Sequence, residues 1–290
     1  MNNEHSELFI EHILIGGVFL EKRFILSVFT KYWKDLSLEE LAETVVSLGF
    51  GGIEFPLREG YQAEPATAER TLPEATRVLG GRGVKITSVA STTEENIFAA
   101  CAAAGVPFIR IMYGSRPEIN YYEAEAEMKR KIEGFLPLCE KYGVRVGIQQ
   151  HCGPGINNTM EMRRLLEDYD VNHVGGIWDA GHSGLAGEVP EQALDIIKDR
   201  LAFVNFKNAF YRLENGPEAE EYKFEHYFTK ARHGFNSWKR SVAHLKKIDY
   251  SGNICLTAEY SELANTVKYA ADDCAYMAEL LDETFGEGCR

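Results

Sequence analysis

The chain alternates between short apolar runs and longer stretches in which apolar residues recur with a helical period. The apolar runs are rich in β-branched residues and are nearly continuous, which is typical of parallel strands that are covered on both faces. They predict eight strands, at residues 24–29, 51–56, 84–90, 107–112, 144–149, 174–179, 201–207 and 253–259.

Each predicted strand is followed by a helical stretch. Ser37 and Thr92 are suitable N-caps, and Gly49, Gly105 and Gly143 stand where helices end. The predicted helices are residues 38–48, 66–79, 94–104, 124–142, 159–169, 191–200, 237–247 and 262–285. Eight such units in 290 residues predict a single (β/α)8 TIM barrel. A doubly wound open sheet is disfavoured, because no GxGxxG motif follows the first strand.

The barrel domain is predicted to span residues 24–290, after an N-terminal extension at 1–23. The apolar stretch at 8–20 is too short to cross a membrane, contains Glu11 and His12, and follows an acidic rather than a basic start. The longest irregular insertion is predicted at 211–229, between the seventh and eighth strands.

Composition narrows the classes of partner. The net charge of −13 disfavours binding to nucleic acid and to anionic membranes. Six scattered cysteines without a CxxC pair indicate free thiols in a reducing compartment, so we expect a cytoplasmic protein. The sequence leaves a homo-oligomer open.

Polar side chains cluster where the predicted strands end, which is the face of a TIM barrel that carries active sites. These strand-end residues are Glu54, Arg58, Arg110, Tyr113, Gln149, His151, Asp179, His182, Asn205, Lys207, Asn208 and Glu259. Some have simple structural roles available, such as a helix cap for Asp179 or an ion pair between Arg110 and Glu54. Because several unpaired buried polar groups cost free energy together, the set favours a ligand or metal site.

The stretch GGIWDAGHSGLAGE (175–188) is the most specific motif, and its small residues permit close approach of a ligand. Together with SLGFGGIEF, GVRVGIQQH, FVNFKN and SGNICLTAEY, in this order, it resembles the xylose isomerase-like TIM barrels. This sugar phosphate isomerase/epimerase superfamily also includes endonuclease IV. The resemblance implies a divalent metal held by the positions of Gln149, Asp179, Asn205 and Glu259, and a substrate contact at His182.

Two of these four positions depart from the family pattern of glutamate, aspartate, histidine and glutamate. Gln149 and Asn205 are amides, which leaves an all-oxygen set that favours Mn²⁺ or Mg²⁺ over Zn²⁺. The site is also compatible with no metal at all, with Lys207 paired to a carboxylate instead. Gln149 cannot accept a proton, so Glu259 is the expected single base, with Lys207, His151 or His182 as the acid or electrophile.

The leading hypothesis is an isomerase, epimerase or related lyase that removes a proton next to the carbonyl of a sugar, a keto-polyol or their phosphates. Its expected substrate contacts are His151, His182, Glu54, Arg110, Asn208 and Arg232. The alternative is a non-catalytic sugar- or metabolite-binding barrel that has lost its metal. DNA repair, by likeness to endonuclease IV, is disfavoured by the negative charge.

Overall fold

The computed structural model describes residues 12–15, 18–21, 23–114 and 118–290. Eight parallel strands close into a barrel in which the first strand pairs with the last. The strands are β1 (Phe24–Phe29), β2 (Gly52–Pro56), β3 (Lys85–Ala90), β4 (Phe108–Met112), β5 (Arg145–Gln149), β6 (Val174–Asp179), β7 (Leu201–Phe206) and β8 (Gly252–Leu256). The predicted (β/α)8 barrel is confirmed.

The helices lie around the barrel and pack against its outer face. They are α1 (Leu38–Ser47), α2 (Ala68–Gly80), α3 (Glu95–Ala104), α4 (Tyr121–Tyr142), α5 (Thr159–Leu166), α6 (Ala180–Leu185), α7 (Pro190–Ile197), α8 (Trp238–Lys247) and α9 (Thr266–Phe285). None of the helices in the described part of the chain combines the length and the apolar character needed to cross a membrane.

The helix ends follow the expected chemistry in most places. Ser37 accepts a hydrogen bond from the Glu40 amide and forms a capping box at α1. Gly105 and Gly143 adopt the left-handed conformation that ends α3 and α4. The prediction for Thr92 is wrong, because α3 begins after Glu94 without a side-chain cap.

Two further elements differ from the predictions. The insertion after β7 is a regular antiparallel hairpin, Asn208–Leu213 paired with Phe224–Thr229, which we call the 208–229 hairpin. In the predicted N-terminal extension, strands His12–Ile15 and Val18–Glu21 pair with each other. Residues 1–11, 16–17 and 22 of that extension lie outside the described residues.

An apolar cluster lies in the barrel interior below its C-terminal end. Phe29, Ala90, Phe108, Ile177, Phe203 and Cys255 form a cluster of buried residues inside the strands. Phe108 and Phe203 meet edge to face, with ring centroids 5.5 Å apart. Phe29 is the last residue of β1, so its ring separates this apolar interior from the polar residues at the strand ends.

Candidate active site

A small cavity lies at the C-terminal ends of the strands, with a volume of about 100 Å³. Six of the strand-end residues named from the sequence line it, and four further residues join them. The lining residues are Phe29, Lys31, Arg58, Arg110, Met112, Gln149, His151, Lys207, Thr257 and Glu259. Since a water molecule in the liquid takes roughly 30 Å³, a cavity of this size fits a small polar molecule.

Glu259 lies in the wall of this cavity and contacts two lysines. Lys31 Nζ donates to Oε1 at 2.6 Å, and Lys207 Nζ donates to Oε2 at 2.5 Å. These two cations outweigh the effect of burial, which alone would raise the pKa of the Glu259 carboxyl, and they lower that pKa to about 2. Glu259 is therefore ionised, and both of its oxygens are engaged.

Lys207 stands between two carboxyl groups at the end of β7. Its ammonium lies 2.5 Å from Glu259 Oε2 and 3.9 Å from Asp179 Oδ2. Burial acts to lower the pKa of Lys207, but the attraction of Asp179 and Glu259 prevails and raises the pKa above its ordinary value. The ring of Phe228, on the 208–229 hairpin, covers the ammonium at 4.8 Å. Lys207 is thus a buried, protonated cation that faces the cavity.

Gly181, two residues after β6, makes room for this lysine. A Cβ at Gly181 would lie 2.7 Å from Lys207 Cγ and 3.2 Å from the Lys207 carbonyl oxygen. The sequence-based expectation of a closely approaching ligand at 175–188 is therefore not needed to explain Gly181. A glycine is required at this position because the aliphatic part of the Lys207 side chain packs against α6.

We predict that Gly181→Ala shifts Lys207 and destabilises the protein by about 1–3 kcal/mol, the usual cost of overpacking. Gly134→Ala is the matched control, because it lies within α4 with open space around its Cβ. Alanine is expected to stabilise that helix by ~0.5–1 kcal/mol. Chemical denaturation of both variants measures the difference; equal stabilities would contradict the assigned packing.

A second chain of hydrogen bonds crosses the barrel end from β2 to β6. Arg110 Nε donates to Glu54 Oε1 at 2.8 Å, and Arg110 Nη1 donates to Gln149 Oε1 at 2.6 Å. Gln149 Nε2 in turn donates to Asp179 Oδ2 at 2.7 Å. The ion pair that the sequence offered for Arg110 and Glu54 is confirmed. Glu54 is fully buried and supports Arg110 instead of facing the cavity.

The four positions expected to hold a divalent metal do not fit one in this arrangement. Gln149 accepts from Arg110 and donates to Asp179, so its amide hydrogens, not its oxygen, face the aspartate. The ammonium of Lys207 stands between Asp179 and Glu259, where an ion would compete with it. Asn205 is buried, and neither of its side-chain polar atoms has a hydrogen-bond partner among the described residues. The proposed function therefore uses no metal on this set.

The two histidines lie against each other beside the cavity. Their ring centroids are 4.1 Å apart, and His151 lines the cavity whereas His182 packs behind it against Phe228. Burial, together with the charge of Lys207, lowers the pKa of His182 well below its ordinary value, so the ring is neutral. The ligand atoms of His151, Cys152 and His182 lie within 4.8 Å of one another, and such N and S donors suit soft metal ions.

Two further residues that were expected to contact the substrate, Asn208 and Arg232, do not line this cavity. The buried amide of Asn208 donates to the carbonyls of Ala231 and Asn236 at 2.6 and 2.7 Å, and its oxygen accepts from backbone amides. Asn208 therefore anchors the loop that follows the hairpin. Arg232 is exposed, stacks on Tyr276 and pairs with Glu279 on α9 at 3.2 Å, away from the cavity.

Comparison with known proteins agrees with this fold. The family model described as a xylose isomerase-like TIM barrel matches residues 42–280. The chain belongs to this family. An inosose dehydratase from Bacillus velezensis is 28% identical over 152 residues, which are 50% of this chain and 51% of that protein. The chain thus matches about half the length of this curated relative.

Solved structures of the family share the fold at low sequence identity. A 3-keto-D-glucoside 4-epimerase from E. coli superposes with a TM-score of 0.68 at 14% identity, covering 88% of this chain and 98% of that one. The IOLI protein, whose structure contains a zinc atom, gives a TM-score of 0.68 at 14% identity, with 90% and 99% covered. At these identities the likeness shows only the fold. The chemistry of this chain depends on the residues of its own site.

Proposed function

We propose that this xylose isomerase-like barrel catalyses proton transfer next to the carbonyl of a small sugar-derived ketone, as an isomerase, epimerase or lyase. The observation that carries the proposal is the pairing of Glu259 with Lys207 in the wall of the cavity. A carboxylate and a protonated lysine in contact supply a base and an acid at one place, as such a reaction requires.

Lys207 is the electrophile in this proposal. Its ammonium is protonated and largely buried, and its positive charge can stabilise the negative charge that develops on a substrate oxygen when the neighbouring carbon loses a proton. In family members that keep all four metal ligands, a metal ion would supply this charge. In this proposal Lys207 supplies it.

Glu259 is the base, and substrate binding is what makes it basic. With both lysines in place, the pKa of its carboxyl is about 2, which is too low for efficient proton abstraction. When the substrate oxygen takes the Lys207 hydrogen bond, Glu259 loses one cationic partner and its pKa rises. The reaction therefore couples binding at Lys207 to activation of Glu259.

The relatives support the type of substrate. Dehydration and epimerisation, the reactions named for the inosose dehydratase and the 3-keto-D-glucoside 4-epimerase, can both start with loss of a proton beside a carbonyl. Arg110, Gln149 and His151 line the same cavity and offer hydrogen bonds to hydroxyl groups. We therefore expect a polyhydroxylated ketone.

A second candidate is a sugar- or metabolite-binding barrel without catalysis. It is favoured by the two lysines that already engage both oxygens of Glu259 and by the amide of Gln149, which recognises hydroxyls but cannot move a proton. In that case Lys207 and Glu259 stay paired when a ligand binds.

One experiment separates the two candidates. The protein is incubated in D₂O with excess EDTA and either inosose or a 3-keto-D-glucoside, and deuterium uptake beside the carbonyl is followed by NMR. Catalysis predicts uptake above the background rate that EDTA does not diminish. Saturable binding without uptake would favour the binding barrel, and uptake that EDTA abolishes would contradict the role given to Lys207.

A further inference from the structure

Three cationic side chains surround the ring of Phe29 at the floor of the cavity. The distances to the ring centroid are 4.6 Å from Arg110 Cζ, 5.6 Å from Arg58 Cζ and 5.9 Å from Lys31 Nζ. Each distance is within the range of a cation–π contact. Such a concentration of positive charge is unusual in a chain with a net charge of −13.

Arg110 and Lys31 have carboxylate partners, whereas Arg58 has none among the described residues. Arg110 pairs with Glu54 at 2.8 Å, and Lys31 pairs with Glu259 at 2.6 Å. Within residues 23–114 and 118–290, no carboxylate lies within ion-pair distance of the Arg58 guanidinium, whose contact is the face of Phe29. Arg58 is only partly exposed and lines the cavity.

The surplus positive charge also affects the pKa of Lys31. Burial lowers the pKa of its ammonium although Glu259 acts in the opposite direction, and the charges of Lys207 and Arg110 add to the lowering. An anion placed among these side chains would relieve repulsion that the protein's own carboxylates leave uncompensated. A planar guanidinium with free donors suits a carboxylate or a phosphate.

We propose that Arg58, flanked by Lys31 and Arg110, binds an anionic group of the ligand, either a carboxylate or a phosphate. The inference rests on the proposed function and narrows its substrate to acidic or phosphorylated keto-polyols. Glu259 and Arg58 line one cavity of about 100 Å³, so the anionic group lies only a few bonds from the reacting carbon. Arg58 is a specificity-determining residue in this proposal, and Glu259 remains the base.

Matched pairs of polyols test the proposal without requiring turnover. Calorimetric titration compares gluconate with D-glucitol, and glycerol 3-phosphate with glycerol, so that each anion has a neutral partner of similar shape. At least one anion is expected to bind tenfold or more tightly than its neutral partner, and this preference should weaken as salt is added. The pair that shows the preference identifies carboxylate or phosphate as the group recognised.

Arg58→Gln is expected to remove about tenfold or more of the anion's affinity and to leave the binding of the neutral polyol unchanged. Arg70→Gln is the matched control, because Arg70 is exposed on α2. Equal affinity for anion and neutral polyol in both pairs, or an unchanged preference in Arg58→Gln, would overturn the anion site. Anion binding that depends on Arg58, without deuterium exchange into any ketone, would keep this site and refute the proposed catalysis.

Discussion

Glu259→Gln is expected to slow deuterium exchange into the substrate by ~10² to 10⁴-fold, the usual contribution of a positioned general base. Glutamine keeps the size of the side chain and one oxygen for Lys31 or Lys207, but it cannot accept the proton. The measurement is the NMR exchange rate at saturating substrate. Glu283→Gln, an exposed position on α9, is the control and should retain the wild-type rate.

The same variant has a readout that is independent of the substrate. The pKa of Glu259 is lowered from 4.5 to about 2, so the folded state binds its proton more weakly than the unfolded state does. Its stabilising contribution is therefore complete above the unfolded value and is lost as the pH falls from about 4.5 toward 2. Glu259→Gln should lack this part of the acid destabilisation, as measured by denaturation at pH 5 and pH 3. Full exchange activity in Glu259→Gln would exclude it as the base.

The fold could be predicted because each strand and helix carries a local signal. Runs such as VRVGIQ predict buried parallel strands, and Ser37 or Gly143 indicates where a helix begins or ends. Helix α6 was not predicted as a separate element, but the helix cap that the sequence offered for Asp179 is present, since its carboxylate accepts from the His182 amide at the start of that short helix. The 208–229 hairpin was missed because its strands lack a continuous apolar run and are buried only where the first of them begins.

The strand-end rule also found six of the ten residues that line the cavity, including Lys207 and Glu259. Lys31 was missed although it lies two residues after β1, since it belongs to the 3₁₀ turn Lys31–Trp33 instead of the strand. Arg58 was noticed after the second strand but received no role. Extending the rule to the first two residues beyond every strand would have added Lys31.

The sequence could not predict the direction in which each side chain points. Asn208 follows Lys207 directly, yet the lysine faces the cavity and the asparagine binds the backbone near Ala231. Likewise, the sequence offered both a metal and a lysine ion pair for the same carboxylates. The choice depends on a contact between Lys207 and Glu259, which are 52 residues apart in the sequence and meet because β8 pairs with β7.

Lys207→Ala is expected to destabilise the protein by about 3–5 kcal/mol, because it leaves the buried Asp179 without its cation and Glu259 with Lys31 alone. The same change opens a space flanked by two carboxyl groups and the Asn205 amide, all of them oxygen donors. We therefore expect this variant, unlike the wild type, to bind Mn²⁺ at this place. Denaturation and the EPR signal of free Mn²⁺ measure the two effects. Lys239→Ala, at an exposed position of α8, should show neither.

The decisive measurement is whether Mn²⁺ restores the free energy of unfolding that Lys207→Ala loses. A ligand at 100 times its dissociation constant adds about 2.7 kcal/mol to the free energy of unfolding, so Mn²⁺ should restore much of what Lys207→Ala loses. Adding Asp179→Asn to the variant should abolish that recovery, because it removes one of the two charged ligands. If the wild type bound Mn²⁺ as tightly as Lys207→Ala, the lysine would not be the cation of this site. The metal set expected from the family pattern would then hold, in spite of its two amides. If only the variant binds, a lysine has taken the place of the metal in this barrel.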